Sequence, residues 1–95
     1  MAYGLNVLYT LKPGMREDYL KVIAQQGIQQ AVRNEAGCLQ YDYFCSVQDP
    51  DQLLLVERWV DREAQKTHMT QPHMELLKQL KPQFVQDTTL LDYDI

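Results

Sequence analysis

Residues 52–60, Gln-Leu-Leu-Leu-Val-Glu-Arg-Trp-Val, are apolar at every position from 53 to 56 and again at 59 and 60. A run of this length between an Asp-Pro-Asp turn and another Asp has the dimensions of a β-strand. Alternation puts Leu53, Leu55 and Trp59 on one side, with Glu57 among them, and Leu54, Val56 and Val60 on the other. A strand that is apolar on both sides belongs in a sheet covered on both faces. The architecture must therefore supply one layer for each face.

The rest of the chain supplies the first layer. Residues 4–11, GLNVLYTL, alternate Leu5, Val7, Tyr9 and Leu11 against Gly4, Asn6, Leu8 and Thr10, which predicts a first strand. After Lys12-Pro13-Gly14 the period changes. Met15, Tyr19, Ile23, Gly27 and Ala31 recur at steps of four, flanked by Leu20, Ala24, Ile28 and Val32, which predicts one long amphipathic helix ending near Gly37. Residues 38–47, CLQYDYFCSV, form a second strand, joined to the third by the turn Gln48-Asp49-Pro50-Asp51. Asp61 is placed to cap a helix from Arg62 to about Met69. A break at Thr70-Gln71-Pro72 opens another helical segment with Met74, Leu77, Leu80 and Lys81, ending before Pro82. Residues 84–95, FVQDTTLLDYDI, predict a fourth strand with Phe84 and Leu90 on one side and Val85, Leu91 and Tyr93 on the other. The expected α+β fold is thus ferredoxin-like, β-α-β-β-α-β, one domain over 1–95 with a four-stranded antiparallel sheet. Helices cover one face. A second copy of the chain is the simplest cover for the other, giving a homodimer packed sheet on sheet.

Composition excludes several classes. The net charge is −4 with no Lys/Arg cluster, so nucleic acid is not an expected partner. No apolar run approaches the ~18 residues of a membrane span. The start, Met-Ala-Tyr-Gly-Leu-Asn, lacks a basic and then apolar leader, and the expectation is a cytoplasmic protein. Cys38 and Cys45, seven apart in one strand, are expected on opposite faces as small thiols outside disulfide reach.

Both histidines and the only tryptophan fall between Glu57 and His73. His68 lies four residues after Ala64 on one helical face, so it points inward if Ala64 does, and a half-sheltered imidazole can act as a general base. From periodicity alone, a helix-face histidine hydrogen-bonded to backbone or water is the commoner case. His73, at a helix start, is a candidate ligand contact, although such residues are more often solvated. Trp59 can wall a flat aromatic ligand or simply fill the core or a dimer contact. Glu57, inward in an apolar row, must be paired, protonated or near water. Tyr41 and Tyr43 share a face with Leu39 and Cys45. Tyr41 and Asn6 are each able to place a hydrogen bond in a pocket or to be ordinary strand residues. Two histidines five apart, with no third ligand at helical spacing, make a poor metal site, so neither metal nor cofactor is expected.

Taken in order, Glu35-Ala-Gly-Cys-Leu-Gln-Tyr-Asp42, Ser46-Val-Gln-Asp-Pro50, Leu55-Val-Glu-Arg-Trp-Val-Asp-Arg-Glu-Ala64 and His68-Met-Thr-Gln-Pro-His-Met74 resemble the antibiotic biosynthesis monooxygenase domain family. The resemblance covers nearly the whole chain and implies a dimeric α/β barrel of ferredoxin-like subunits. It implies one of several activities. The haem-degrading pattern asks for an Asn in strand one, which Asn6 matches, but His68 stands where it needs Trp and Lys78 where it needs His. An isomerase of a phosphorylated autoinducer-2 signal shares Glu57, His68 and His73, yet uses a further His where this chain has Gln29. The quinol monooxygenase branch shares Glu57, Trp59, His68 and His73 without a departure.

The expectation is therefore a cofactor-independent monooxygenase that oxidises a small quinol or polyphenolic aromatic with O2. In it His68 takes or relays the proton, Trp59 and Tyr41 wall the ring, Asn6 or His73 hydrogen-bonds a ring oxygen, and Glu57 contacts the substrate. The isomerase, and a non-catalytic ligand-binding dimer of the same fold, are the alternatives.

Overall fold

The computed structural model describes residues 1–95. Its elements are β1 (Tyr3–Leu11), α1 (Arg16–Gln25), α2 (Ile28–Arg33), β2 (Cys38–Cys45), β3 (Gln52–Trp59), α3 (Arg62–His68), α4 (Pro72–Phe84) and β4 (Val85–Asp94). The strands form one antiparallel sheet in the order β2-β3-β1-β4. This is the ferredoxin-like arrangement, with each helical connection split into two helices.

Register explains the core. Leu5 lies opposite Glu57, Val7 opposite Leu55 and Tyr9 opposite Leu53, so these side chains share the helix-covered face. Leu53, Leu55 and Trp59 are completely buried there, each contributing about 1.5–3 kcal/mol relative to exposure. From the helices, Tyr19, Ile23, Ile28, Val32 and Leu77 meet them.

The first helical segment is not continuous. Gly27 has φ +66°, a left-handed conformation in which a side chain is strained, and it separates α1 from α2. The break re-aims the buried face: Ile28 and Val32, at the flank of the expected stripe, become its fully buried centre, while Gly27 is exposed and Ala31 half-buried. At the other end of the chain α4 runs through Pro82 to Phe84 instead of stopping before the proline. Pro82 lies in the last turn, where its missing N–H costs a single helical bond. The end is held by Lys12, whose Nζ donates to the Pro82 carbonyl at 3.0 Å and whose N–H donates to that of Phe84 at 2.8 Å. Phe84 consequently packs from the helix, with Tyr19, rather than from β4.

A register shift between Cys38 and Gln40 corrects two further expectations. Cys38 pairs with Trp59 and Cys45 with Leu53, so the bulge brings the two cysteines onto the same side of the sheet, at opposite ends of β2. Leu39, the residue in the bulge, is exposed and does not share the buried face of Tyr41. The thiols are free.

No helix covers the far face of the sheet. Leu8, Leu54 and Val56 lie half-buried there, flanked by Phe44, 50% exposed, and Leu91, 63% exposed. No helix is long and apolar enough to cross a membrane.

Candidate active site

The sequence assigns no role to Glu35, yet the structure puts it at the centre of the polar groups. It sits in the short connection from α2 to β2, where Gly37 adopts φ +84°. The Gly37 carbonyl accepts from the Val60 N–H at 2.9 Å, tying this connection to the end of β3. A Cβ at Gly37 would come within 2.7 Å of the Ala64 Cβ, so only glycine lets the connection lie this close to α3. At the start of α3, Asp61 caps as its position predicts, accepting from the Ala64 N–H at 2.8 Å.

Those two anchors bring the Glu35 carboxylate against both histidines. Oε2 lies 2.8 Å from His68 Nδ1 and 2.7 Å from His73 Nε2. A carboxylate has only acceptors to offer, so each of those ring nitrogens carries its proton and donates. His68 closes α3 and is 1% exposed; His73 begins α4 with a side chain 20% exposed. With Nδ1 protonated, a neutral His68 keeps its lone pair on Nε2. That atom faces Glu57, whose Oε1 is 3.8 Å away.

Glu57 is the inward carboxylate that its place in β3 predicts. Its Oε1 accepts from Trp59 Nε1 at 3.1 Å. Burial pushes its pKa up, while the Trp59 hydrogen bond, a protonated His68 and the nearby Lys81 ammonium oppose the shift. Trp59 is itself fully buried, with its ring centroid 4.6 Å from that of His68. It packs behind the histidine and holds Glu57, rather than forming an open wall.

In front of His68 lies a cavity of about 150 Å3 between the sheet and the second pair of helices. Tyr41, Met69, Met74 and Leu90 give it apolar walls, and His68, Glu57 and Lys81 bring polar atoms to it. Lys81, from α4, also lies over the Tyr9 ring, its Nζ 5.3 Å from the centroid. Burial lowers its pKa and Glu57 raises it, so each of these two groups favours the charged form of the other.

Of the residues singled out from sequence, His68, Glu57 and Tyr41 meet at this cavity, and His73 joins through Glu35. Asn6 does not. It alternates with the inward Leu5 and Val7, and on the uncovered face its Oδ1 accepts from the Tyr93 hydroxyl at 3.2 Å. The parity of β1 already placed it there. Glu35 carried no such signal, because it lies outside the periodic segments that hold the histidines; Lys81 does share a face of α4 with His73 and Leu77 at steps of four, a spacing that signals a helix but not a site. Gln29 is also engaged elsewhere, donating to the Tyr41 carbonyl at 3.0 Å.

Residues 2–79 match the family model described as antibiotic biosynthesis monooxygenase. The chain belongs to the antibiotic biosynthesis monooxygenase family. One relative is the Bacillus subtilis (strain 168) protein named "Putative monooxygenase YcnE", 32% identical over 71 residues, covering 75% of this chain and 73% of that protein. Solved structures share the fold. PA3566 from Pseudomonas aeruginosa superimposes with a TM-score of 0.88 at 23% identity, over 99% of this chain and 93% of that one. A Nitrosomonas europaea protein described as a "Putative antibiotic biosynthesis monooxygenase" gives 0.90 at 17% identity, over 99% and 89%.

Proposed function

We propose that this family member is a cofactor-independent monooxygenase of a single-ring quinol. The observation that carries the reading is the state of His68. It is buried, its Nδ1 lies 2.8 Å from Glu35 Oε2, its Nε2 lies 3.8 Å from Glu57 Oε1, and its ring lines a mainly apolar cavity that Lys81 also reaches. A cavity of about 150 Å3 suits one benzene-sized ring and favours a quinol over a polycyclic anthrone.

The chemistry needs a base and shelter. His68 Nε2 takes a hydroxyl proton, and Lys81 offers its ammonium to the resulting oxyanion. The electron-rich quinolate passes one electron to O2, and the radical pair combines to a peroxide at the neighbouring ring carbon. Loss of that carbon's hydrogen as a proton breaks the O–O bond. One oxygen stays as a carbonyl, the other leaves as water, and the quinol supplies all the electrons. Tyr41 and the two methionines keep the ring in place and exclude water. Trp59 acts from behind, by holding Glu57 and the His68 ring.

A second copy belongs to this reading, as a homodimer joined through the uncovered sheet face around Phe44, Leu54, Val56 and Leu91. Those apolar side chains have no cover within one chain. A phosphorylated isomerase substrate is less well served, because Lys81 is the only Lys or Arg lining the cavity. A non-catalytic ligand-binding dimer gives no reason for burying a histidine with its tautomer held.

The test is oxygen uptake with a panel of mono- and polycyclic quinols in metal- and flavin-free buffer. Turnover of a single-ring quinol is expected, with His68→Ala losing ~10²–10⁴-fold. Full activity in His68→Ala on a substrate that wild type turns over defeats the assignment.

A further inference from the structure

We infer that Glu35, His68 and His73 also form a binding site for one divalent transition-metal ion, with Zn2+ the best match. The three donor atoms, Glu35 Oε2, His68 Nδ1 and His73 Nε2, come from three separate stretches of chain and lie within 4.8 Å of one another. Two imidazole nitrogens and one carboxylate oxygen make up a known type of open zinc site. Zinc holds such ligands at about 2.0–2.1 Å, which sets neighbouring donors roughly 2.9–3.4 Å apart. The two Glu35–histidine separations here are 2.7 and 2.8 Å. Replacing the two N–H protons with an ion would move each histidine nitrogen a few tenths of an ångström from Glu35 and bring the two nitrogens, which lie within 4.8 Å of each other, to zinc spacing. The partial exposure of His73 leaves a side from which water can complete the coordination.

The surroundings of His68 are equally suited. A metal-bound imidazole usually donates its other N–H to a carboxylate, which fixes the ring and strengthens the ligand. Here that second nitrogen already faces Glu57 Oε1, which is in turn held by Trp59. Histidine spacing hides the site, because the third ligand comes from the far side of β2 and β3 in sequence.

Metal would also change what His68 can do. An ion on Nδ1 moves the imidazole proton to Nε2, the atom needed as a base, so occupancy switches proton abstraction off. This consequence rests on the oxidation reading; the site itself does not.

Chelator-treated protein titrated with Zn2+ by calorimetry should bind one equivalent. Because the chain has only two histidines, both sets of imidazole NMR signals should shift together, and this needs no variant. Glu35→Gln and His73→Ala should each weaken binding by more than ~10-fold, while a Cys38→Ser/Cys45→Ser double variant binds as wild type does. Co2+ should give visible d–d bands without thiolate charge transfer. Substoichiometric binding, unshifted imidazole signals, or affinity unchanged in both ligand variants overturns the site. If a quinol substrate is found, one equivalent of Zn2+ should suppress its turnover; undiminished turnover by the zinc-bound protein overturns the switch. Absence of any turnover sinks the oxidation reading and leaves the titration able to judge the metal.

Discussion

Oε2 of Glu35 lies 2.8 Å from Nδ1 of His68, although 33 residues separate them in the chain. The contact decides which nitrogen of a buried imidazole carries the proton. In Glu35→Gln the amide nitrogen can donate to Nδ1, moving the histidine proton to Nε2 and removing the base. Turnover of the quinol is expected to fall, by up to the ~10²–10⁴-fold that a general base contributes. Steady-state oxygen uptake gives the rate, and 15N NMR of the imidazole gives the tautomer. An unchanged tautomer together with an unchanged rate removes Glu35 from its positioning role.

Lys81→Met keeps most of the side-chain stem and deletes the ammonium. If the cation holds the quinolate oxygen, kcat/KM falls while the fold survives. Stability should respond to pH with a definite sign. Burial lowers the folded-state pKa of Lys81 below the ordinary 10.5, so between the two values the unfolded chain binds more protons. Wild type should therefore gain stability relative to Lys81→Met as pH rises through that window, with the largest deficit below it. Denaturant melts of both proteins across alkaline pH measure the difference, and a flat difference contradicts the buried placement.

Gly37→Ala tests the connection that carries Glu35. A left-handed φ of +84° and a Cβ 2.7 Å from the Ala64 Cβ oppose any side chain there. Backbone strain of this type costs about 1–3 kcal/mol, which for a domain of this size lowers Tm by roughly 4–8 °C per kcal/mol. Displacement of Glu35 should also lower turnover in the protein that remains folded. Calorimetry and oxygen uptake on the same sample check both effects, and an unshifted Tm contradicts the crowding.

Phe44→Glu and Leu91→Glu place charge on the uncovered sheet face, away from the cavity. If the dimer forms through that face, light scattering should find wild type as a dimer and the double variant as a monomer that retains its helical CD signal. A double variant that stays dimeric places the interface elsewhere.

The strand faces and capping residues were legible because they depend on neighbours in the chain. Alternation in β1 and β3 set Leu5, Val7, Leu53, Leu55, Glu57 and Trp59 inward, and also put Asn6 outward. Asp61 announced α3, since an N-cap needs only a side-chain acceptor three residues before the N–H that donates to it. Pattern failed where one residue changed the phase. Gly27 re-aimed α2, the bulge after Cys38 turned the thiols to one side, and Lys12 stabilised a helix end beyond Pro82.

By itself, then, the sequence determined a ferredoxin-like succession of elements, the core face of the sheet, and a polar residue, Glu57, set into that core. Local periodicity is enough for this, because burial follows a repeat of two or four residues. Only the tertiary structure decided that Glu35 should meet His68 and His73, that Trp59 should stand behind the imidazole, and that Lys81 should reach the cavity. These contacts join segments with no shared period, through a glycine turn and a helix terminus whose directions are set only when the whole sheet has closed beneath them.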